Sequence, residues 1–506
     1  MATATTTTPV SEVEKTVSIL AKIVYPAALA ASISIWFLAI RAPLWLDETL
    51  AYWQVSGGFA KIWSRSALMP SSIGYLYTLW LAKSTLGSSE IALKIPSTLA
   101  VLGAVYFLFR AAREFYDQET AYLACIFFAL TNNVIFAATD ARPYAFALLA
   151  SNIAIFAFVR WMMGRRMGRA ILFGAAAAGV LYFHFLFGAI LPVFAIYYLA
   201  ARGGSIKEDW RQLAALVAAF TLCSLPLIYR IASLYQSKGT HVVPAAPHPV
   251  WTTLRILAPA QLLIGFLIAV FLAALVRKIK LPRRENFPAS LFGVLLALVP
   301  AGVLVAVSAT STVHLVISRY LTVIACGSAL MWALLTMHID SPVLRKLFCV
   351  ALVAATVIET YGSPLSRLHE ANFKDAHAFI NANVAKDKGE VPILVCSAFV
   401  ESDYQLTASD GSGENPLLSQ MDYYPIDAPV TLLPMDLNDE SIRIGSETVA
   451  AAAQRHQRFL VVASPLSYPT VEWLIKSTRD RFTPQLIAEF DKAIVIVEFR
   501  PIATND

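Results

Sequence analysis

Long apolar runs dominate the first 361 residues of this 506-residue chain and restrict the folds that it can adopt. A bilayer core of about 30 Å is crossed by roughly 20 apolar residues in a helix. Eleven runs approach that length, near residues 18–40, 91–109, 120–139, 142–159, 170–185, 186–201, 212–229, 258–276, 287–308, 318–337 and 346–361. The sequence therefore predicts an all-α polytopic membrane protein with eleven transmembrane helices.

Composition supports this prediction and excludes several other classes of protein. Apolar residues make up 57% of the chain, charged residues 15%, and the mean hydropathy is +0.61. A soluble domain has about 25% charged residues, so too few polar side chains remain to cover a water-soluble globule. Disordered chains are far more polar, and disulfide scaffolds hold many more cysteines than the five present here.

Five basic clusters follow alternate apolar runs and predict the orientation of the chain. They lie at 110–113, 160–169, 202–211, 277–284 and 345–346. With eleven spans, all five clusters fall on one side of the membrane, which the positive-inside rule makes cytoplasmic. The N-terminus is then cytoplasmic and the C-terminal part extracytoplasmic. The net charge of +6 is explained by these loops and does not indicate a nucleic-acid ligand.

The chain divides into three predicted regions. Residues 1–17 form a polar tail, residues 18–361 the transmembrane domain, and residues 362–506 a small α/β domain, because helix-like and β-rich runs alternate there. Counting the short apolar segment 71–86 as a span would move the first basic cluster to the outside. We expect instead a juxtamembrane helix in the first outer loop, where Tyr and Trp are favoured.

The acidic pair Asp47 and Glu48 is the first group of candidate functional residues, and it directly follows the first span. Trp45 and Trp53 flank it. Neighbouring residues on a helix point about 100° apart, so at most one of the two carboxylates faces a given site. The structural alternative is a helix whose first turn is stabilised by acidic side chains.

Two other segments at the predicted outer ends of spans combine charged and aromatic residues. Asp140, Arg142 and Tyr144 lie at the start of the fourth span, and Arg319 and Tyr320 at the start of the tenth. Ionisable groups near the hydrocarbon are costly and tend to be functional, and arginine is suited to binding phosphate. The alternatives are a helix cap at Asp140 and anchoring of Arg319 at lipid headgroups.

His184 and Lys94 complete the set of candidates. His184 interrupts the apolar run 170–201, where a lone histidine is more often a packing residue than a functional one. Motifs of soluble enzymes such as the P-loop, GxGxxG, HExxH and GxSxG are missing from the sequence, and no residue spacing indicates a metal site. We predict no required cofactor; the acidic pair could hold a divalent cation, but no motif requires one.

Several motifs resemble, in this order, those of membrane glycosyltransferases of the GT-C class. They are LWLDETLAYW (44–53), GSSEIALKIPS (87–97), TDARPYAFAL (139–148), FHFLFG (183–188) and SRYL (318–321). The closest group is similar to bacterial dolichyl-phosphate-mannose–protein mannosyltransferases and includes aminoarabinose transferases and lipopolysaccharide galacturonosyltransferases. The resemblance covers roughly residues 15–370, and it departs from the family at Lys94, where arginine is usual.

The resemblance implies transfer of a sugar, with inversion, from a polyprenyl-phosphate donor to a lipid, glycan or protein acceptor. The reaction would occur on the outer face of the bacterial cytoplasmic (inner) membrane. The resemblance makes Asp47 the catalytic base, with Glu48 completing the acidic pair and Asp140 assisting. The negative charge that grows on a leaving phosphate needs cationic donors, and Arg142 and Arg319, and more weakly Lys94, are the candidates. Tyr144, His184 and Tyr320 are candidates for orienting the sugar or the phosphate.

Two other functions are compatible with charged groups in a membrane protein. A transporter or lipid flippase would also use them, but transporter folds tend to show internal repeats and broken helices at the membrane midplane. No internal repeat is visible in the sequence. A non-catalytic relative would bind a lipid-linked sugar without transferring it.

Overall fold

The computed structural model describes residues 12–69, 72–227, 249–276, 287–310, 315–362, 372–387, 390–407, 409, 411–491 and 493–502. Three predicted features fall wholly or largely outside these residues. They are the polar N-terminal tail, the segment between the predicted spans 212–229 and 258–276, and the basic cluster at 277–284.

Helices build the part of the chain from residue 12 to residue 362, as the apolar runs predict. They are α1 (Glu12–Ser34), α2 (Trp36–Ala39), α3 (Leu46–Ser56), α4 (Ile62–Leu68), α5 (Ile73–Leu86), α6 (Glu90–Phe115), α7 (Gln118–Leu130), α8 (Asn132–Thr139), α9 (Tyr144–Gly164), α10 (Met167–Phe183), α11 (Leu191–Arg202), α12 (Ile206–Ser224), α13 (Pro249–Leu257), α14 (Ala260–Leu275), α15 (Phe287–Thr310), α16 (Ala325–Thr336) and α17 (Pro342–Gly362). Short 3₁₀ segments extend them at Phe59–Lys61, Phe185–Ile190, Gly203–Ser205, Leu225–Leu227 and Tyr320–Ile324.

Five helices of the described chain are long and apolar enough to cross a membrane: Glu90–Phe115, Tyr144–Gly164, Phe185–Arg202, Ile206–Leu227 and Ser290–Thr310. Two bent helix pairs raise the number to seven if each pair is one span. Three further apolar helices are shorter, namely Ile23–Ala39, Met167–Phe183 and Tyr320–Thr336. These helices are those of a multi-pass membrane protein, but the predicted count of eleven spans is not confirmed.

The two bent pairs have identifiable causes. Helices α7 and α8 meet at 69° around Thr131, whose extended backbone ends α7 and whose hydroxyl donates to the carbonyl of Phe127 at 2.9 Å. Helices α13 and α14 meet at 51° around Pro259, which has no amide hydrogen to continue a helix. The first bend matters for the site, because α8 ends at Thr139, directly before Asp140.

A third interruption separates α10 from the 3₁₀ segment at Phe185–Ile190. His184 lies between them with an extended backbone. The sequence predicts a break at this residue, because the run 170–201 is too long for one span and the basic clusters on either side belong on the same face of the membrane. The predicted break is confirmed.

The segment predicted as a juxtamembrane helix forms α5, which has 14 residues. At 1.5 Å per residue its length is about 21 Å, short of a bilayer core of about 30 Å. Tyr75, Leu76 and Leu79 on one face of α5 are buried. The helical prediction is confirmed, and the length of α5 agrees with a helix that does not span.

Residues 372–502, the C-terminal unit, hold a five-stranded sheet with connecting helices, as the alternating runs predict. The strands are β1 (Ile393–Cys396), β2 (Val430–Leu433), β3 (Phe459–Ala463), β4 (Phe482–Phe490) and β5 (Ile494–Pro501), in the order β2-β1-β3-β5-β4. Strand β1 is parallel to β2 and β3, whereas β5 is antiparallel to β3 and β4. The helices are α18 (Phe373–Val384), α19 (Ser402–Gln405), α20 (Ser419–Tyr423), α21 (Asp439–Gln454) and α22 (Tyr468–Thr478).

Alternation of apolar side chains along β1, β3 and β5 gives the sheet two buried faces. Leu394 and Val461 lie on one face, and Ile393 and Leu460 on the other. Leu46 at the start of α3 packs against the hydrophobic cluster that contains this second face. The C-terminal unit therefore contacts the helix that carries the acidic pair.

Candidate active site

Helix α3 carries the acidic pair in its first turn, where carboxylates are favoured by the helix dipole. The extended backbone of Trp45 precedes the helix and sets its start. Successive side chains point about 100° apart, so Leu46, Asp47 and Glu48 take three different directions. Leu46 packs towards the C-terminal unit, and Glu48 is buried on another side of the helix.

Glu48 is fully buried, and its carboxylate joins two loops. Oε2 accepts a hydrogen bond from the amide of Trp45 at 3.1 Å, and Oε1 accepts one from the amide of Ala141 at 2.6 Å. Lys94 Nζ lies 3.7 Å from Oε1 and donates to the carbonyl of Ala42 at 2.6 Å. The fully buried Lys94 is thus engaged with Glu48 and with the loop before α3.

Asp47 is the accessible acid of the pair, and two arginines contact it. Arg142 Nη2 lies 3.4 Å and Arg319 Nη1 3.3 Å from Asp47 Oδ2. Arg142 Nη1 also donates to the Asp47 carbonyl at 3.0 Å. The side chains of Asp47 and Arg142 are each 17% exposed and that of Arg319 is 29% exposed, so all three can contact a ligand.

Asp140 lies in the loop between α8 and α9 and is fully buried. Its Oδ1 accepts a hydrogen bond from the indole Nε1 of Trp45 at 2.9 Å. Helix α9 begins at Tyr144, preceded by Pro143, so the alternative that Asp140 caps this helix is wrong. Burial and the neighbouring Glu48 carboxylate raise the pKa of Asp140 well above its usual range, which favours its neutral form.

Aromatic rings lie beside the arginines. The rings of Tyr144 and His184 stack with centroids 5.2 Å apart, and Tyr320 meets His184 edge-on at 5.8 Å. The guanidinium of Arg319 lies over the indole of Trp45, 5.6 Å from its centroid. Hydroxyl and imidazole groups on these rings can orient a ligand that carries several hydroxyls.

Four of the seventeen buried side-chain polar atoms that lack a hydrogen-bond partner within the described part of the chain belong to predicted site residues. They are Oδ2 of Asp140, Nε of Arg142, Nδ1 of His184 and Nε of Arg319. Leaving a buried polar group unpaired costs about 1–3 kcal/mol, so such atoms are rare in native proteins. Two of these atoms belong to the arginines that contact Asp47, and both could donate to a polar ligand bound there.

The structure divides the predicted site residues into two sets. One set consists of the partly exposed Asp47, Arg142 and Arg319, whose surroundings we call the cleft. The rings of Tyr144, which is buried, and of His184 and Tyr320 contact one another beside it. The other set, Glu48, Lys94 and Asp140, is fully buried. Among the residues that the structure describes, no group of three His, Cys, Asp or Glu side chains could hold a metal ion.

The sequence did not identify Asn133 of α8, which connects the bent pair α7 and α8 to the turn that carries Arg319. Its Nδ2 donates to the carbonyl of Ser318 at 2.7 Å, and its Oδ1 accepts from the Ser318 hydroxyl at 3.2 Å. Ser318 directly precedes Arg319. Two consecutive asparagines, Asn132 and Asn133, inside the apolar run 120–139 are the signal that could have identified this link.

A cavity of about 190 Å³ adjoins the Asn133–Ser318 link. It lies where the two bent helix pairs approach each other, and its lining includes Thr131 from the first pair and Pro259 from the second. The cavity shares Ser318 with the loop that carries Arg319. It is therefore a second space beside the cleft that contains Asp47.

A match to a family model agrees with the motifs found in the sequence. Residues 70–229 match the family model described as dolichyl-phosphate-mannose-protein mannosyltransferase. This stretch includes Lys94, Asp140, Arg142, Tyr144 and His184 of the predicted site residues. No curated protein matches the sequence.

The chain is similar in fold to a solved structure of ArnT from Cupriavidus metallidurans in the apo state, with a TM-score of 0.51, 12% identity, and coverage of 93% of this chain and 97% of that chain. ArnT bound to undecaprenyl phosphate matches with a TM-score of 0.47, 12% identity and the same coverage. The Archaeoglobus fulgidus oligosaccharyltransferase complex with Zn and sulfate matches with a TM-score of 0.44, 13% identity, and coverage of 92% and 72%. The resemblance to GT-C membrane glycosyltransferases is confirmed by the family match and by the GT-C-like fold.

Replacing Glu48 with Gln removes the charge that pairs with Lys94 and keeps most of the side-chain shape. Because Lys94 would stay buried without a counter-charge, we expect a destabilisation of about 3–5 kcal/mol. The measurement is the thermal unfolding midpoint of the purified protein in detergent. Adding Lys94→Met should recover much of the loss, since the unpaired charge disappears.

Glu114→Gln is the matched control for this experiment. Glu114 also pairs with basic residues, but its partners Arg110 and Arg160 are 32% and 40% exposed. Exposed ion pairs contribute about 0–1 kcal/mol, so the midpoint should move little. Equal shifts for Glu48→Gln and Glu114→Gln would show that the buried pair has no special importance for stability.

Proposed function

We propose that the protein transfers a sugar from a polyprenyl-phosphate donor to a hydroxyl of a cell-envelope lipid, glycan or protein. The observation that carries the proposal is the accessible Asp47 carboxylate between Arg142 and Arg319. This arrangement offers, in one place, a base for an attacking hydroxyl and positive charge for a leaving phosphate.

The proposed reaction is one displacement at the anomeric carbon of the donor sugar. The acceptor oxygen forms a new bond to that carbon while the bond from the carbon to the phosphate oxygen breaks. The electron pair of the broken bond stays on the phosphate, and Asp47 accepts the proton of the acceptor hydroxyl. Because the acceptor attacks opposite the leaving group, the configuration at the anomeric carbon inverts.

Arg142 and Arg319 stabilise the negative charge that grows on the leaving phosphate. Each guanidinium has five N–H donors, and the Nε of each has no partner within the described residues. Both arginines can therefore keep their contact with Asp47 while they donate to phosphate oxygens. Tyr144, His184 and Tyr320 would orient the sugar or the phosphate from the same side.

The three buried candidates act indirectly in this proposal. Glu48 and Lys94 hold the loops on both sides of the cleft, and Asp140 holds the indole of Trp45. Asp47 alone is then the base. This assignment narrows the predicted catalytic set of Asp47, Glu48 and Asp140, and it removes Lys94 from the predicted phosphate ligands.

The likenesses to known proteins support the class of donor. The matching family model is described by a dolichyl-phosphate sugar, and ArnT, whose fold is similar, has been crystallised with undecaprenyl phosphate. Dolichyl phosphate and undecaprenyl phosphate are both polyprenyl phosphates. The helices of a multi-pass membrane protein let the isoprenoid chain of such a donor stay in the bilayer while its phosphate reaches the arginines.

We place the site on the outer face of the bacterial inner membrane, with the N-terminus in the cytoplasm. Arg166→Cys, in a basic cluster, and Lys476→Cys, in the C-terminal unit, should then react with an impermeant thiol reagent from opposite sides. Cys223 is the exposed cysteine of the described chain and is first replaced by Ser. Labelling of both positions from one side would move Asp47 away from the proposed outer site.

Asp47→Asn keeps the shape of the side chain and removes the base. Sugar transfer from a polyprenyl-phosphate sugar, measured per folded molecule, should fall by about 10²–10⁴-fold, while the protein still folds. Asp427→Asn, at an exposed acid of the C-terminal unit, is the control and should leave turnover unchanged. Half of the wild-type turnover in Asp47→Asn would exclude Asp47 as the base, and donor movement without transfer would indicate a transporter.

Arg142→Gln and Arg319→Gln each remove one charge-assisted contact to the donor phosphate. Such a contact contributes about 1.5–3 kcal/mol, so kcat/KM for the donor should fall roughly ten- to a hundredfold. The KM for the acceptor should change little. Arg211→Gln, at an exposed arginine, is the matched control. Wild-type kinetics in both test variants would show that these arginines are anchors for lipid headgroups.

A further inference from the structure

Tyr424 of the C-terminal unit reaches the loop that precedes α3. Its hydroxyl accepts a hydrogen bond from the amide of Leu44 at 2.9 Å and donates to Oε1 of Glu90 at 2.7 Å. Lys374, also in the C-terminal unit, places its Nζ 3.1 Å from the same Glu90 oxygen. Leu44 is buried and lies three residues before Asp47. The C-terminal unit therefore holds the backbone that precedes α3, the helix that carries Asp47.

Other residues of the C-terminal unit hold Tyr424 in place. Its carbonyl is 2.7 Å from Nδ1 of His377, and its ring packs edge-on against Tyr423 with centroids 4.8 Å apart. Burial lowers the pKa of His377, so its ring is neutral near pH 7 and donates from Nδ1 to this carbonyl. Burial and the bond to Glu90 raise the pKa of Tyr424, so the hydroxyl keeps the proton that it donates.

An apolar contact supports the same helix from the C-terminal unit. Leu46 and Leu50 lie one turn apart on α3 and pack in one cluster with Phe399 and Leu417. Leu46 also packs against the hydrophobic cluster that contains the second face of the sheet. Because Asp47 follows Leu46 by about 100° around the helix, its carboxylate lies beside this contact rather than within it.

We propose that the C-terminal unit sets the position of the catalytic acid and that Tyr424 is a positioning residue for Asp47. The proposal rests on the proposed function, in which Asp47 is the base. By holding the Leu44 amide, Tyr424 fixes where α3 begins and thus where Asp47 meets Arg142 and Arg319. A reacting group displaced by about 1 Å can lose about 10²-fold in rate, so a single backbone hydrogen bond at this place affects catalysis.

Tyr424→Phe tests the proposal, because it keeps the ring and removes the hydroxyl. Tyr423→Phe is the matched control: the Tyr423 hydroxyl donates to the carbonyl of Ser88 at 2.7 Å, in the same contact region but away from Leu44. We expect kcat per folded molecule to fall about tenfold in Tyr424→Phe with KM for the donor unchanged. Tyr423→Phe should keep the wild-type kcat.

Hydrogen exchange of the full-length protein gives a second measurement that does not depend on turnover. Exchange of the amides in residues 41–50 should be about tenfold faster in Tyr424→Phe, because the buried Leu44 amide loses its acceptor. The same segment should be unchanged in Tyr423→Phe. Unchanged exchange in Tyr424→Phe, or equal effects of the two variants on kcat, would overturn the proposal.

Asp47→Asn separates failure of this proposal from failure of the proposed function. Loss of transfer in Asp47→Asn together with wild-type kcat and exchange in Tyr424→Phe would leave Asp47 as the base and reject the positioning role. Retained transfer in Asp47→Asn would reject the proposed base and, with it, the positioning of a base by Tyr424, whatever the exchange rates show.

Discussion

The buried carboxylate of Glu48 joins the two loops from which the candidate site is built. It accepts hydrogen bonds from the amide of Trp45, before α3, and from the amide of Ala141, after α8. Asp47 is the neighbour of Glu48, and Arg142 is the neighbour of Ala141, so the same contacts place the acid next to its first arginine. Lys94 balances the charge of Glu48 in the protein interior, where an isolated carboxylate would be very costly.

The cleft around Asp47 is made by chain segments that are far apart in sequence. Helix α3 supplies the acid, the loop after the bent pair α7 and α8 supplies Arg142, and the turn before the 3₁₀ segment at Tyr320 supplies Arg319. Asn133 of α8 donates a hydrogen bond to Ser318 and so connects the bent pair to the turn that carries Arg319. The polar groups are therefore fixed by several independent connections, which suits a site that must hold two cations close to one acid.

Much of the fold could be predicted because local sequence decides it. Apolar runs predict helices such as Glu90–Phe115 and Tyr144–Gly164, and alternating runs predict the C-terminal sheet. The break at His184 follows from the length of its run and the charges around it. The bend at Thr131 could not be predicted in this way, since threonine is common inside helices, and the number of spans depends on such bends.

The structure brings the predicted candidates Asp47, Arg142 and Arg319 together, but their contacts could not be predicted from the sequence. The local sequence pattern predicts that Asp140 caps a helix. In the structure its carboxylate instead accepts a hydrogen bond from the indole of Trp45, which is 95 positions away in the chain. Likewise, Lys94 has the positive charge to bind a phosphate, but in the fold it pairs with Glu48. Tyr424 lies 380 positions from Leu44, its partner across the fold, and no local pattern connects the two.

The pairing of Lys94 with Glu48 also bears on how the chain enters the membrane during synthesis. Lys94 lies in the second turn of the apolar helix α6, and a buried lysine without a counter-charge is costly. Glu48 precedes Lys94 in the chain, so it has already left the ribosome when α6 emerges. The charge that α6 must bury thus finds its counter-charge in a segment that was made earlier. Both members of the pair have therefore been made before the later helices that complete the fold.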